Sequence, residues 1–242
     1  MELVIGAALL FVGSHFLLSH PMRAGLVEQH GERMFLAIYS LVALVTLGLL
    51  VLAYRLADDG AALWEVGDPL WGIVTAVMWL ASILLVGSFI GNPGFPQSGE
   101  AAVPPPVARG VFVITRHPMM WAFALWGLSH IAVLPTWPNI VLCGAIVFLA
   151  LVGAALQDAK KRARYPQLWR AWEARTSYWP FGVVGGGKYR KRAAWPGFIA
   201  LIGGTLLWLA ATWAHLPLAG WAAGIWRWLD PDLVRQYLIH LT

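Results

Sequence analysis

Hydrophobic residues along this chain gather in six stretches of about 20 residues each, separated by shorter polar segments. An α-helix rises about 1.5 Å per residue, so a stretch of this length crosses the hydrocarbon core of a bilayer, which is about 30 Å thick. The pattern predicts an all-α integral membrane bundle of about six transmembrane helices, at residues 3–20, 34–54, 69–91, 118–135, 138–157 and 195–215.

Composition supports the membrane class. Charged residues make up 12% of the 242 residues and hydrophobic residues 59%, whereas about a quarter of a soluble domain is charged. The first apolar stretch carries Glu2, has no basic residues before it and is followed by no small-residue cleavage pattern, so we expect a retained span and not a signal peptide. The single cysteine, Cys143, excludes an intrachain disulfide.

The segments outside the spans predict a cytoplasmic interfacial helix and two loops. Residues 158–181 interleave basic and aromatic side chains, which is typical of an amphipathic helix at a membrane surface. Residues 91–110 and 183–188 are rich in glycine or proline and predict loops. No repeat or domain break interrupts the chain, so we interpret 1–242 as one domain whose tail, 216–242, is interfacial.

The distribution of charge predicts the orientation in the membrane. The 158–194 segment holds 10 of the 17 basic residues, whereas the 55–68 loop is mainly acidic. The positive-inside rule therefore predicts that the basic loops are cytoplasmic and that both termini are periplasmic. We interpret the basic run as a topology signal in contact with anionic membrane lipid, and we expect no nucleic-acid partner.

Two histidines, His15 and His130, lie well inside predicted spans. An ionisable residue in a membrane span is a functional hypothesis by default, although a hydrogen bond between helices would also explain it. Zinc and di-iron sites favour carboxylate or thiolate ligands, and none lies inside these spans. Imidazole without neighbouring charge suits haem iron, so the pattern favours a haem bound between His15 and His130.

The surroundings of His130 fit this hypothesis in part. Trp126 and Gly127 lie one helical turn earlier on much the same face, where a glycine would leave room for a flat macrocycle. Plain helix packing would explain the same stripe. The depths of His15 and His130 differ by about 10 Å in a simple placement of the spans. A pairing of His20 with His117 therefore stays open.

The sequence Arg116–His117–Pro118 marks the start of the fourth span. Proline suits the first position of a helix, where its missing N–H costs nothing. The helix N-terminus and Arg116 together favour an anionic group such as a carboxylate, a propionate or a lipid phosphate. Anchoring of these side chains at the interface is the alternative.

Four motifs resemble the NnrU family of bacterial membrane proteins: "GSHFLLSHPMR", "GERMFLAIYSL", "TRHPMMWAFALWGLSH" and "TSYWPF". The resemblance covers residues 1–185. It implies a multi-pass protein of the bacterial inner membrane, associated with nitrite and nitric oxide metabolism in denitrifying bacteria.

The sequence is also similar to the 15-cis-zeta-carotene isomerases, which resemble this family and are haem b proteins with histidine ligands. That resemblance implies His15 and His130 as the metal ligands, with further cofactor-binding residues at Arg23, Arg116, His117 and Trp126. Gly127 is added to this set because of the room that it would leave beside His130, not because of the resemblance. The relatives can carry a cysteine where this chain has Gly127, so a switch of thiol ligand is not expected.

A third resemblance, to the isoprenylcysteine and phospholipid methyltransferases, rests on the "RHP" helix start and implies S-adenosylmethionine as an alternative cofactor. The glycine that follows in those enzymes is absent here, where the chain reads "MMWA". The leading hypothesis is a haem-binding protein with an apolar or gaseous ligand. It would act either in redox or isomerase-like chemistry, or as a sensor or accessory factor. The alternatives are a membrane methyltransferase and a cofactor-free structural or assembly protein. No catalytic residue is assigned.

Overall fold

A computed structural model describes residues 1–92, 107–182 and 195–229 of the chain. The regular elements in these ranges are all helical, which confirms the predicted class. They are α1 (Glu2–Ser19), α2 (Arg23–Arg55), α3 (Asp68–Gly87), a 3₁₀ turn (Gly110–Val113), α4 (Pro118–Val133), α5 (Trp137–Arg164), α6 (Pro166–Glu173), α7 (Phe198–Ala219) and α8 (Trp226–Leu229). The predicted hinge at 183–188 and most of the predicted loop at 91–110 lie outside the described residues.

Each of the six predicted spans corresponds to an apolar helix. Five of them, α1, α2, α3, α5 and α7, are long and apolar enough to cross a membrane. The sixth, α4, is apolar but has 16 residues, which is about 24 Å of helix. The chain is therefore a multi-pass membrane protein, with one apolar helix shorter than the hydrocarbon core.

Proline and glycine set several helix boundaries. Helices α3, α4, α5 and α6 each carry a proline in their first turn, where the missing N–H has no intrahelical partner to lose. Gly31 interrupts α2 with φ 78° and ψ 162°, a backbone conformation that glycine adopts without a steric penalty. The kink separates a polar first segment from the apolar span that was predicted to begin at residue 34.

Contacts between neighbours order the six apolar helices as a row, α2, α1, α5, α4, α3, α7, in which α2 also touches α5. Buried apolar side chains form one core around α1, α2 and α5, and a second core around α3, α4, α6 and α7. Helices α2 and α7 form the two ends of the row. This arrangement leaves a cavity between the two cores.

The predicted interfacial helix is shorter than expected and turns its aromatic face inward. Only Pro166–Glu173 of the predicted segment forms a separate helix, because 158–164 continues α5. Trp169 and Trp172 are 3% and 1% exposed and belong to the second core. These tryptophans therefore hold α6 against the bundle instead of lying at a lipid surface.

The predicted interfacial tail also begins inside the bundle. Helix α7 runs to Ala219, past the predicted boundary at residue 216. Trp221 packs edge-on against Trp71 with 5.7 Å between ring centroids, and Trp226 donates its indole N–H toward Thr212 at 3.1 Å. The first part of the tail is thus fixed to α3 and α7, and residues beyond 229 lie outside the described ranges.

Candidate functional site

A cavity of about 1110 Å³ lies between the two cores and is lined by side chains from all six apolar helices. Its volume lies just above the range of about 300–1,000 Å³ for small-molecule pockets. Most of its wall is apolar or aromatic, including Phe11, Phe16, Phe123, Trp126 and Trp208. The cavity is therefore suited to a large and largely apolar ligand.

His15 lies on the α1 wall of this cavity. Its Nδ1 lies 2.7 Å from the carbonyl oxygen of Phe11. A carbonyl can only accept, so Nδ1 carries the proton and Nε2 keeps its lone pair. The rings of Phe11 and Tyr39 pack edge-on against the imidazole, at centroid distances of 4.5 and 5.5 Å. A backbone-fixed tautomer of this kind is the usual state of a metal-binding histidine.

His130 and His215 form a second imidazole site on the opposite side, with 6.1 Å between their ring centroids. Each Nδ1 lies 2.8 Å from the carbonyl oxygen four residues earlier, at Trp126 and Ala211 respectively. Their Nε2 atoms therefore also keep their lone pairs. The helical geometry that fixes His15 is thus repeated at both residues.

The two histidines of this pair differ in the space that they contact. His215 lines both the large cavity and an adjoining chamber of about 50 Å³, whereas His130 lines only the chamber. Trp126 lies between His130 and the large cavity, since it lines the cavity and its ring centroid is 4.2 Å from that of His130. The sequence reasoning missed His215 because the last predicted span ended at that residue, whereas α7 continues to Ala219.

Gly127 does not leave space for a cofactor. A Cβ atom at this position would lie 2.6 Å from a methyl carbon of Val147 and 3.0 Å from the carbonyl oxygen of Cys143. Both neighbours belong to α5, which packs directly against this face of α4. The expected clearance beside His130 is therefore filled by α5, and Gly127 serves the close approach of the two helices.

Arg116 and His117 face a carboxylate of the same chain, Asp158. This carboxylate accepts hydrogen bonds from Arg116 Nε at 2.8 Å, His117 Nε2 at 2.9 Å and Trp169 Nε1 at 3.2 Å. A second acidic residue, Glu173, lies 3.7 Å from Arg116. The anionic partner predicted for the start of α4 is thus supplied internally by the end of α5.

Sequence reasoning did not find Asp158, because it follows an apolar run and lies more than 40 residues from Arg116. Its side chain and that of His117 are 4% and 3% exposed. His117 is therefore committed to this network, whereas His20 lines the large cavity. The alternative pairing of His20 with His117 is therefore not favoured, because one imidazole lies at the large cavity and the other in the Asp158 network.

Tyr178, from the "TSYWPF" motif, connects this network to α4 and α5. Its backbone carbonyl accepts hydrogen bonds from Thr115 at 2.7 Å and Trp121 at 2.8 Å, and its phenol donates to the carbonyl of Leu151 at 2.6 Å. Burial and then the charge of Asp158 raise the pKa of the Tyr178 phenol, whereas Arg116 lowers it. A neutral phenol is the form that this donated hydrogen bond requires.

Arg23 lies at one end of the large cavity, where it pairs with Glu32 at 2.5 Å. Its guanidinium also lies 5.2 Å from the centroid of the Phe35 ring. In the described ranges, no group of three or more His, Cys, Asp or Glu side chains is placed to hold a metal ion.

The fold and the cavity define a class of protein, the multi-pass helical membrane proteins that have a large internal apolar cavity with histidines on its walls. Comparison with known families identifies the member of that class. The family described as "NnrU protein" matches residues 3–223, and the chain belongs to this family. The resemblance seen in the motifs is thereby confirmed.

One curated relative is named "15-cis-zeta-carotene isomerase, chloroplastic", from Zea mays. The two sequences are 26% identical over 197 residues, which cover 76% of this chain and 52% of the relative. The chain therefore spans about half the length of that protein. No solved structure matches the chain.

Proposed function

We propose that the chain binds haem b in the large cavity and acts as an isomerase-like protein on an apolar ligand. His15 would hold the iron from one wall, and one histidine of the His130–His215 pair would hold it from the other. The observation that carries the proposal is that His15 and His215 line the same apolar cavity with Nε2 of each ring available.

The residues on the walls fit such a cofactor. A macrocycle brings four nitrogen ligands of its own, so the protein would need to supply the iron only with imidazoles. The described residues offer imidazoles on both sides of the cavity but no cluster of three or more ligating side chains. The volume of about 1110 Å³ and the aromatic walls suit a large flat apolar group.

Haem supplies redox chemistry or binding of a small gas at its iron, while the protein sets the ligand and the surroundings. Here the apolar side chains surround most of the cavity, and the backbone carbonyls of Phe11 and Ala211 fix the tautomers of His15 and His215. We propose that an apolar ligand enters from the bilayer between α2 and α7, the two ends of the helix row.

The name of the maize relative supports the isomerase-like reaction class, and the proposed substrate class is an extended polyene hydrocarbon. A role in nitrite or nitric oxide metabolism stays a prediction from the family name. The methyltransferase alternative gains no support from the geometry, because Arg116 and His117 are bonded to Asp158 instead of facing an open cofactor site.

Haem binding is tested by the visible spectrum of the protein purified in detergent after expression with added haem precursor. We expect a low-spin spectrum with two imidazole ligands, and a pyridine haemochrome of the b type. His15→Ala should abolish the low-spin form. Either His130→Ala or His215→Ala should do the same, and the variant that does so identifies the second ligand.

The matched control is His30→Ala, because His30 is an exposed histidine on α2 that does not line the cavity. Its spectrum should equal that of the unaltered protein. Absence of a Soret band in the unaltered protein would refute haem binding. An unchanged spectrum in the double variant His130→Ala/His215→Ala would refute the proposed ligand set.

The reaction class is tested separately with a 15-cis polyene hydrocarbon in detergent, under reducing and oxidising conditions, with isomers resolved by chromatography. We expect loss of the 15-cis isomer with the unaltered protein, and at least a tenfold slower loss with His15→Ala. Equal rates for the two proteins would show that the cavity does not perform this reaction, even if haem is bound.

A further inference from the structure

One end of the large cavity carries a concentration of positive charge. Its lining includes four basic side chains, from Arg23, Lys160, Lys161 and Arg164, and one carboxylate, from Glu32. We call these five residues the basic mouth. Glu32 is engaged by Arg23 at 2.5 Å, so Lys160 and Arg164, at the end of α5, have no carboxylate of the mouth left to balance them.

The placement of these cations goes beyond a topology signal. Lys160 and Lys161 lie within one helical turn of Arg164, and all three line the cavity, whereas the neighbouring Arg162 points to Glu173 and bonds it at 2.6 Å. Like charges one turn apart on a helix repel each other. A bound anion would offset that repulsion.

His20 adds an unsatisfied polar atom to the same region. Its Nδ1 lies 2.8 Å from the hydroxyl of Ser19, and its buried Nε2 has no hydrogen-bond partner in the structure. Burial and then the nearby charge of Lys160 lower the pKa of His20, so the ring is neutral near pH 7. If the Ser19 hydroxyl donates to Nδ1, the Nε2–H of His20 is a donor that lacks an acceptor.

Lys160 is held beside this donor, because its Nζ donates to the carbonyl oxygen of Ser19 at 2.5 Å. The mouth thus combines cations with the imidazole of His20, and it opens directly into the large apolar cavity. An anion with a hydrocarbon or macrocyclic body would place its charged group at the basic mouth and its body in the apolar cavity. A small inorganic anion would fill only the basic mouth.

We infer that the basic mouth binds the anionic head group, a carboxylate or phosphate, of an amphiphile whose apolar body occupies the cavity. Two sources share this chemistry. For haem, whose propionates are such head groups, the inference rests on the proposed function. For a fatty acid or acidic lipid, it stands independently of haem.

The test compares each acid with its uncharged ester in nanodiscs of neutral phosphatidylcholine. The probes are haemin against haemin dimethyl ester, and doxyl-labelled stearic acid against its methyl ester, with tryptophan quenching as the readout. We expect the acid of at least one pair to bind about tenfold more tightly, because charge-assisted hydrogen bonds are the strong ones. In Lys160→Gln/Arg164→Gln the ratio should fall below about two, and in high salt it should fall partway.

The matched control is Arg170→Gln, which removes an exposed cation on α6 that does not line the cavity. It should keep the full acid preference. Equal binding of acid and ester in both pairs would overturn the inference, as would an equal loss of preference in Arg170→Gln and the mouth variant. Failure of haemin to bind, together with a fatty-acid preference, would refute the haem proposal and leave the mouth supported. Equal binding of haemin and its ester, with no fatty-acid preference, would refute the role of the basic mouth and leave the haem proposal supported.

Discussion

Asp158→Asn is expected to lower the free energy of unfolding by about 3–5 kcal/mol, the range for removing one partner of a buried ion pair. The carboxylate of Asp158 is 4% exposed and lies 2.6 Å from Arg116, whose side chain is 11% exposed. Asparagine keeps the size but loses the charge, so the guanidinium of Arg116 would stay buried without full compensation. His117 and Trp169 would also each lose a hydrogen bond to a charged acceptor.

The measurement is unfolding by sodium dodecyl sulfate from a fixed detergent micelle, followed by tryptophan fluorescence. The control is Glu173→Gln, since Glu173 is 20% exposed and lies 3.7 Å from Arg116. We expect this control to cost no more than about 1 kcal/mol. Replacing both partners, Arg116→Met with Asp158→Leu, should cost less than Asp158→Asn, because no charge is left unpaired. An equal cost for Asp158→Asn and Glu173→Gln would contradict the account.

The same network shows that the anion bound by the "TRHP" motif is a carboxylate of the same chain. The motif predicts an anionic group at a helix start, and the physical reasoning holds, because Arg116 and His117 do bind a carboxylate. The partner comes from the end of α5, and α6 adds Trp169 to it. The motif therefore fixes α4 to α5 and α6, and so positions two walls of the cavity.

The spans were predictable because a bilayer dictates the length and apolarity of a helix that crosses it. The start of α4 at Pro118 is a further success, because proline favours the first position of a helix. The inward packing of α6 was not predictable. An amphipathic pattern shows that one face is apolar, but it does not say whether that face meets lipid or protein.

The candidate site was predictable to a smaller degree. His15 and His130 stand out because ionisable groups are rare inside apolar runs. His215 was hidden because a helix boundary cannot be placed within a few residues from sequence. The contact of Gly127 with α5 was not predictable, because helical periodicity shows that residues share a face but not which helix packs against that face. Lys160 was interpreted as a topology signal, since nothing in a charge run shows which of its members lines a cavity.

Gly204→Ala is expected to cost about 3 kcal/mol of stability, the upper end of the range for overpacking a core. An added Cβ would lie 2.6 Å from the Cα and 2.8 Å from the backbone nitrogen of Ile83. These are backbone atoms of α3, so no side-chain rotation relieves the clash and the two helices must separate. Gly204→Val should cost more, because it adds two methyl groups at the same contact.

Two glycines serve as matched controls in the same detergent unfolding experiment. A Cβ at Gly203 would meet only a side-chain carbon of Val86, at 3.1 Å, and a Cβ at Gly13 of α1 would meet no atom within 4 Å. Gly203→Ala should therefore cost much less than Gly204→Ala, and Gly13→Ala should be neutral or stabilising by up to about 1 kcal/mol, because alanine favours helix. Since α7 carries His215 and packs onto the bundle through α3, Gly204→Ala should also weaken the haem binding that we propose. Equal stability of the Gly204 and Gly13 variants would mean that α3 and α7 do not approach as closely as Gly204 allows.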